Sequence, residues 1–159
     1  QIAQAANLIA GEMRAGRKTV IASTGHMAMY YIARYDDSVW ARNQEVHAFL
    51  DSQMKSFEEK TAPGALVVQL GESGFDRKLA ALFQSKKQRV ISITSENPYP
   101  ENQAYRDDWA AKIDLGFAFG DACVPIPGYP IRILPTSGAM QVAAYECLNV
   151  EVFARRGDK

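Results

Sequence analysis

The chain has 159 residues, 18 Lys and Arg against 18 Asp and Glu, 47% hydrophobic residues and only two cysteines. That length fits one domain spanning residues 1–159, able to bury its own core without a disulfide framework or structural metal. A formal charge of zero gives no general electrostatic reason to bind nucleic acid or an anionic membrane, and Cys123 and Cys147 have no CxxC spacing, so buried free thiols are expected.

Ile2, Ala5, Ala6, Ile9 and Met13 recur at helical spacing, and Gly16 ends that segment before Arg17-Lys18. Thr19 to Ser23 is a short β-branched run. Gly25 then breaks the chain, and Met27, Tyr30, Tyr31 and Arg34 resume helical spacing. From Glu45 to Lys60 two periodicities compete, because Val46-His47-Ala48-Phe49-Leu50 reads as a strand while Val46, Phe49, Leu50, Met54 and Phe57 fit a helix. Strand followed by short helix is the reading taken.

Pro63-Gly64 is a breaker, and Ala65 to Leu70 is the strongest buried-strand signal in the sequence. Leu79, Leu82 and Phe83 mark a helix reaching Lys87, followed by a strand over Arg89 to Thr94. Ser95 to Gln103 reads as loop. Asp107 to Lys112 is expected to be a short helix, and Asp114 to Phe119 the fifth strand. Gly120 to Pro135 carries Pro125, Pro127 and Pro130 and cannot be one regular element. Thr136 caps a final helix on which Met140, Ala143, Ala144 and Cys147 share a face. Strands alternating with helices imply an α/β, three-layer α/β/α fold around a mostly parallel sheet of about five strands.

Three turns place hydroxyl or glycine residues between a strand-like and a helix-like run: Ser23-Thr24-Gly25, Gly71-Glu72-Ser73-Gly74 and Pro135-Thr136-Ser137-Gly138. A helix N-terminus presents unpaired N–H groups and a partial positive charge, and a short hydroxyl beside it completes an anion cradle. In a parallel sheet with right-handed crossovers, all such turns gather at the carboxyl edge.

The succession Ala65-Leu66-Val67-Val68-Gln69-Leu70-Gly71-Glu72-Ser73-Gly74, a helix ending in Lys86-Lys87, and Arg89-Val90-Ile91-Ser92-Ile93-Thr94 resembles the central part of SIS (sugar isomerase) domains. The likeness extends to the opening helix before Thr19–Ser23 and to the start of the last helix at Pro135–Gln141. It implies a flavodoxin-like fold, a phosphosugar ligand and a homodimer, an expectation that the apolar opening helix shares. It also implies phosphate contacts from Ser73 and Gly74, with Thr24 and Gly25 in the first loop and Thr136, Ser137 and Gln141 at the last helix. The family turn usually reads Ser-x-Ser-Gly-x-Thr. Here Gly71 takes the first serine position and Asp76 that of the threonine, which removes two hydroxyls and adds a carboxylate near the expected dianion.

Each feature also has a purely structural reading. Ser73 to Asp76 fits a capping box, and one hydroxyl of Thr136-Ser137 suffices for a cap. His26, at the start of a predicted helix where the dipole disfavours its cation, can bond a sugar hydroxyl, relay a proton or simply cap. His47 reads as a structural residue, and two histidines without HExxH-type spacing argue against a metal. Tyr99, Tyr105 and Trp109 either stack on a sugar or pack a loop onto the body. No cofactor is expected, because neither GxGxxG nor a Walker A motif is present.

Aldose–ketose isomerisation needs a base beside the sugar and an acid. The candidates are His26 and Glu72, with Asp76 nearby, and none belongs to a recognisable pair. The expectation is therefore phosphosugar binding with weak or absent catalysis in the isolated chain, the alternatives being an isomerase or a ligand-independent scaffold. With no apolar run near the roughly 20 residues a membrane span needs and no signal-peptide pattern at the N-terminus, a cytoplasmic location is expected.

Overall fold

The first helix, α1 (Ile2–Arg14), sets the frame for the rest of the chain: Ala5, Ala6, Ile9 and Ala10 are all buried along one stripe. It ends where the sequence requires a left-handed residue. Gly16 takes φ +69°, with Gly16 N–H donating to Met13 and Arg17 N–H to Glu12, the double bond pattern of a Schellman stop. The computed structural model describes residues 1–23, 41–45, 51–71, 77–94, 109–116, 122–130 and 132–156.

Five parallel strands follow: β1 (Thr19–Ser23), β2 (Ala41–Glu45), β3 (Leu66–Leu70), β4 (Arg89–Thr94) and β5 (Ala111–Asp114). Their spatial order is β2-β1-β3-β4-β5, every neighbouring pair parallel. Helices α2 (Asp51–Lys60) and α3 (Arg77–Ser85) precede β3 and β4, and α4 (Ser137–Arg156) closes the described chain. Between β5 and α4, β6 (Ala122–Pro125) and β7 (Arg132–Pro135) pair antiparallel as a separate two-stranded ribbon.

The alternation of side chains across the sheet builds two cores. Ile21, Leu66, Val68, Leu70, Ile91 and Ile93 face α1 and α4, where they meet Ala5, Ile9, Tyr145, Leu148 and Val152. Val20, Ala22, Val67 and Val90 face Phe57 of α2 and Leu79 and Phe83 of α3, with the Phe57 and Phe83 rings tilted at 5.9 Å. The result is the α/β three-layer, doubly wound arrangement expected from the sequence. No helix among the described residues is long and apolar enough to cross a membrane.

Several local expectations need correcting. The second strand is Ala41–Glu45, before the apolar run; residues 46–50 lie outside the described residues. Its sequence, ARNQE, carries no apolar pattern because an edge strand is defined by one ladder, here with β1 from Thr19↔Ala41 to Ser23↔Glu45. The fifth strand is Ala111–Asp114, so 111–112 are not helical and the strand begins three residues earlier than expected. Ala111 and Ile113 face the core, Lys112 and Asp114 are half-buried, and the ladder with β4 outweighs the helical reading. Residues 117–119 of the expected strand lie outside the described residues.

The Gly120–Pro135 stretch is indeed not one element, but its two ends form β6 and β7 around a turn with Gly128 at φ +81°. On α4 the buried face is Gln141, Ala144, Tyr145, Leu148 and Val152. Met140, Ala143 and Cys147 consequently point outward, and Cys147 is an exposed free thiol rather than a buried one. The side chain of Cys123 lies outside the described residues.

Candidate functional site

In the order β2-β1-β3-β4-β5, the chain leaves β1 to form β2 on one side and then crosses to form β3 on the other. The strand order therefore reverses between β1 and β3, and doubly wound folds bind ligands outside the carboxyl ends of the strands at such a switch point. Thr24, Gly25 and His26 follow β1 directly in sequence, and Glu72, Ser73, Gly74 and Asp76 follow β3 and Gly71. All seven lie outside the described residues.

The last helix supplies the remaining candidates. Thr136 stands immediately before α4 and is half-buried; its carbonyl accepts the Met140 N–H at 3.0 Å, the first bond of the helix. Ser137 occupies the first helical position, and its side chain lies outside the described residues. One turn on, Gln141 is wholly buried. Its Nε2 donates to the carbonyl of Gly71, the buried residue that ends β3's extension. This bond joins the first turn of α4 to the residue that follows β3. Gln141 Oε1 is buried and has no hydrogen-bond partner among the described residues; it lies one turn from the helix N-terminus, where an isolated helix leaves backbone N–H groups unpaired.

Three further polar side chains were not singled out by the sequence reading. Gln69, Ser92 and Thr94, in the carboxyl halves of β3 and β4, are buried to 0%, 0% and 1% exposure. Ser92 Oγ donates to Gln69 Oε1 at 3.4 Å, the hydroxyls of Ser92 and Thr94 lie 3.1 Å apart, and Gln69 Nε2 has no partner among the described residues. The available signal was the interruption of two apolar runs, LVVQL and RVISIT, by alternate polar residues. At the rim, Lys112 and Asp114 of β5 pair at 3.7 Å. Trp109 packs against the α2 and α3 core, which is the structural reading of that aromatic; Tyr99 and Tyr105 lie outside the described residues.

Among the described residues, a three-member charge cluster stands at the opposite edge. Buried Glu12 pairs with Arg17 at 2.7 Å and with Arg89, the first residue of β4, at 2.6 Å. Arg17's hydrogen bond, working against burial and helped by Arg89, holds the Glu12 carboxyl down at about 2 from an ordinary 4.5. This cluster ties α1 to β4 and lies away from the carboxyl edge. Among the described residues no group of three or more His, Cys, Asp or Glu side chains comes together in a way that could hold a metal ion.

No protein-family model matches the chain, and no curated protein matches it. Among solved structures, the whole chain is similar to a Salmonella typhimurium LT2 protein described as a "putative phosphosugar isomerase", at 12% identity and a TM-score of 0.48. The chain spans 46% of that protein's length.

Proposed function

We propose that the chain binds a phosphorylated sugar, or a related phosphorylated metabolite, at the carboxyl edge between residues 72–74 and the start of α4. The observation that carries this reading is the Gln141–Gly71 hydrogen bond. It holds the first turn of a 20-residue helix against Gly71, the residue that precedes Ser73 and Gly74 by two and three positions in the sequence. Phosphate is suited to such a junction, since the helix end contributes partial positive charge and N–H donors while hydroxyls of Thr136, Ser137 and Ser73 add neutral donors. The free Oε1 of Gln141 gives a sugar hydroxyl an acceptor in the same place. The SIS-like order of motifs in the sequence supports the same ligand class. The reading includes one domain over residues 1–159 acting as a homodimer, with weak or absent isomerisation by the isolated chain.

A thermal-shift panel of aldose and ketose phosphates tests it, on the wild type and on Ser73→Ala. A ligand at 100 times its Kd adds about 2.7 kcal/mol to stability. If Ser73 serves only as a cap, the variant loses about 1 kcal/mol and keeps full ligand protection; if it contacts phosphate, the protection is lost as well. No shift from any panel member would leave the scaffold alternative standing. Light scattering that gave only monomer would remove the dimer, and efficient aldose–ketose interconversion abolished by His26→Ala or Glu72→Gln would make the protein an isomerase.

A further inference from the structure

The two faces of the central strands differ in one half only. Toward α1 and α4, β3 and β4 present aliphatic residues along their whole length: Leu66, Val68, Leu70, Ile91 and Ile93. Toward α2 and α3 the same strands begin apolar, with Val67 and Val90, and then turn polar at Gln69, Ser92 and Thr94. A strand at the centre of a parallel sheet is ordinarily apolar on both faces, and a buried polar group is costly unless paired. Register sets Gln69 between Ala22 of β1 and Ser92 of β4, so the row holds one amide beside one methyl and one hydroxyl. The hydroxyls of Ser92 and Thr94 satisfy each other and Gln69 Oε1. The Gln69 amide nitrogen is left with two N–H donors and no acceptor among the described residues.

Position and chemistry narrow what that acceptor is. Gln69 lies two residues before Gly71, about 7 Å along the strand from where the proposed phosphate segment begins. The three groups are neutral, so they do nothing to balance a dianion, whereas amide N–H and paired hydroxyls match the hydroxyl and carbonyl oxygens of a sugar. We propose that Gln69 donates to an oxygen of the sugar part of the ligand, with Ser92 and Thr94 as positioning residues that fix the amide's orientation. This rests on the phosphosugar reading above and divides that site into a phosphate end at 72–74 and α4 and a sugar end over Gln69. A methionine at position 69 would fill a similar volume and remove the unpaired amide donor; Ser92 Oγ loses its acceptor on Gln69 but has Thr94 Oγ1 at 3.1 Å to donate to.

The experiment uses Gln69→Met and Ser92→Ala in the full chain. Calorimetry gives Kd for inorganic phosphate and for the panel member that best protects the wild type, and melting temperatures are taken without ligand. The expected result for Gln69→Met is sugar-phosphate binding weakened about tenfold or more, phosphate binding within about twofold, and a melting temperature within about 4 °C of wild type. Ser92→Ala, acting through Gln69, weakens the sugar phosphate by about threefold and leaves phosphate unchanged. Sugar-phosphate affinity unchanged in Gln69→Met means the amide meets water or nothing, and overturns the assignment while the phosphosugar reading stands. Equal loss of sugar phosphate and phosphate also overturns it, since Gln69 then supports the segment rather than reading the sugar. Should Gln69→Met fail to fold, unchanged sugar affinity in Ser92→Ala overturns the assignment. If no panel member protects the wild type, both readings fall together.

Discussion

Replacing Glu12 by Gln should cost the protein much of its margin at neutral pH and little in acid. The Schellman stop at Gly16 turns the chain back on itself, so Arg17 meets Glu12 through two hydrogen bonds of 2.7 and 3.0 Å, while Arg89 reaches the same carboxylate at 2.6 Å. Glu12's side chain is 6% exposed, against 61% for Arg17 and 44% for Arg89. A carboxyl held at about 2 rather than 4.5 contributes about 3 kcal/mol at pH 7. Solvent around the two arginines trims that figure, so the loss expected for Glu12→Gln at pH 7 is about 2–3 kcal/mol. Because the native pKa lies below the unfolded one, the contribution is complete above about pH 5 and disappears as pH falls through 4.5 toward 2. Urea unfolding of wild type and variant, followed by circular dichroism at pH 7 and pH 3 at one ionic strength, reads both parts. The gap should shrink to less than about half between those pH values. A gap below about 1 kcal/mol at pH 7, or one that is the same at both pH values, would refute the account.

Two other substitutions test the packing and the turns. Leu148→Ala, at a fully buried position of α4 against α1, should cost about 3 kcal/mol and lower the melting temperature by about 6–12 °C. Val150→Ala, two residues away and 68% exposed, should stay within about 0.5 kcal/mol of wild type. Lys87 closes α3 in a left-handed conformation, φ 52°, with its own N–H bonded to Gln84 and that of Gln88 to Phe83. Lys87→Gly should therefore raise stability by about 0.5–1 kcal/mol in chemical denaturation, although glycine is costly elsewhere.

What was legible in the sequence is what local pattern determines. β1 and β4 fall on Thr19–Ser23 and Arg89–Thr94, and β3 on the LVVQL run, because central parallel strands need unbroken apolar segments. The stop of α1 was legible at Gly16 because only a left-handed residue makes that turn cheaply. The edge strands were not. ARNQE has no strand pattern, and its identity comes from pairing with β1 some twenty residues earlier in the chain. β5 suffered from its neighbours, since Asp107 to Lys112 suits a helix locally while the ladder with Ile91 to Thr94 makes 111–114 a strand. The outward direction of Cys147 was hidden for the same reason. Its neighbours Ala143 and Ala144 are alike in sequence, yet only Ala144 meets α1 and the sheet.

The candidate site divides along the same line. Turns rich in serine, threonine and glycine advertise themselves, and Gln141 came with the motif that opens the last helix. That its amide reaches Gly71, seventy residues away, is a product of the doubly wound topology, which returns α4 to the end of β3. Gln69, Ser92 and Thr94 look like imperfections in apolar runs until β3 and β4 are set side by side. Register then puts Gln69 opposite Ser92 and converts separate interruptions into one buried polar patch. Glu12 is the counterexample that shows how such patches are to be judged. It too interrupts an apolar stripe, but both its oxygens are taken by arginines, so it accounts for itself structurally. Lack of a partner is not enough by itself, since Thr19 Oγ1 and both amide atoms of Gln88, at the amino ends of β1 and β4, also have none among the described residues. What sets Gln69 Nε2 and Gln141 Oε1 apart is their place at the carboxyl edge, where the sequence puts the serine- and threonine-bearing turns.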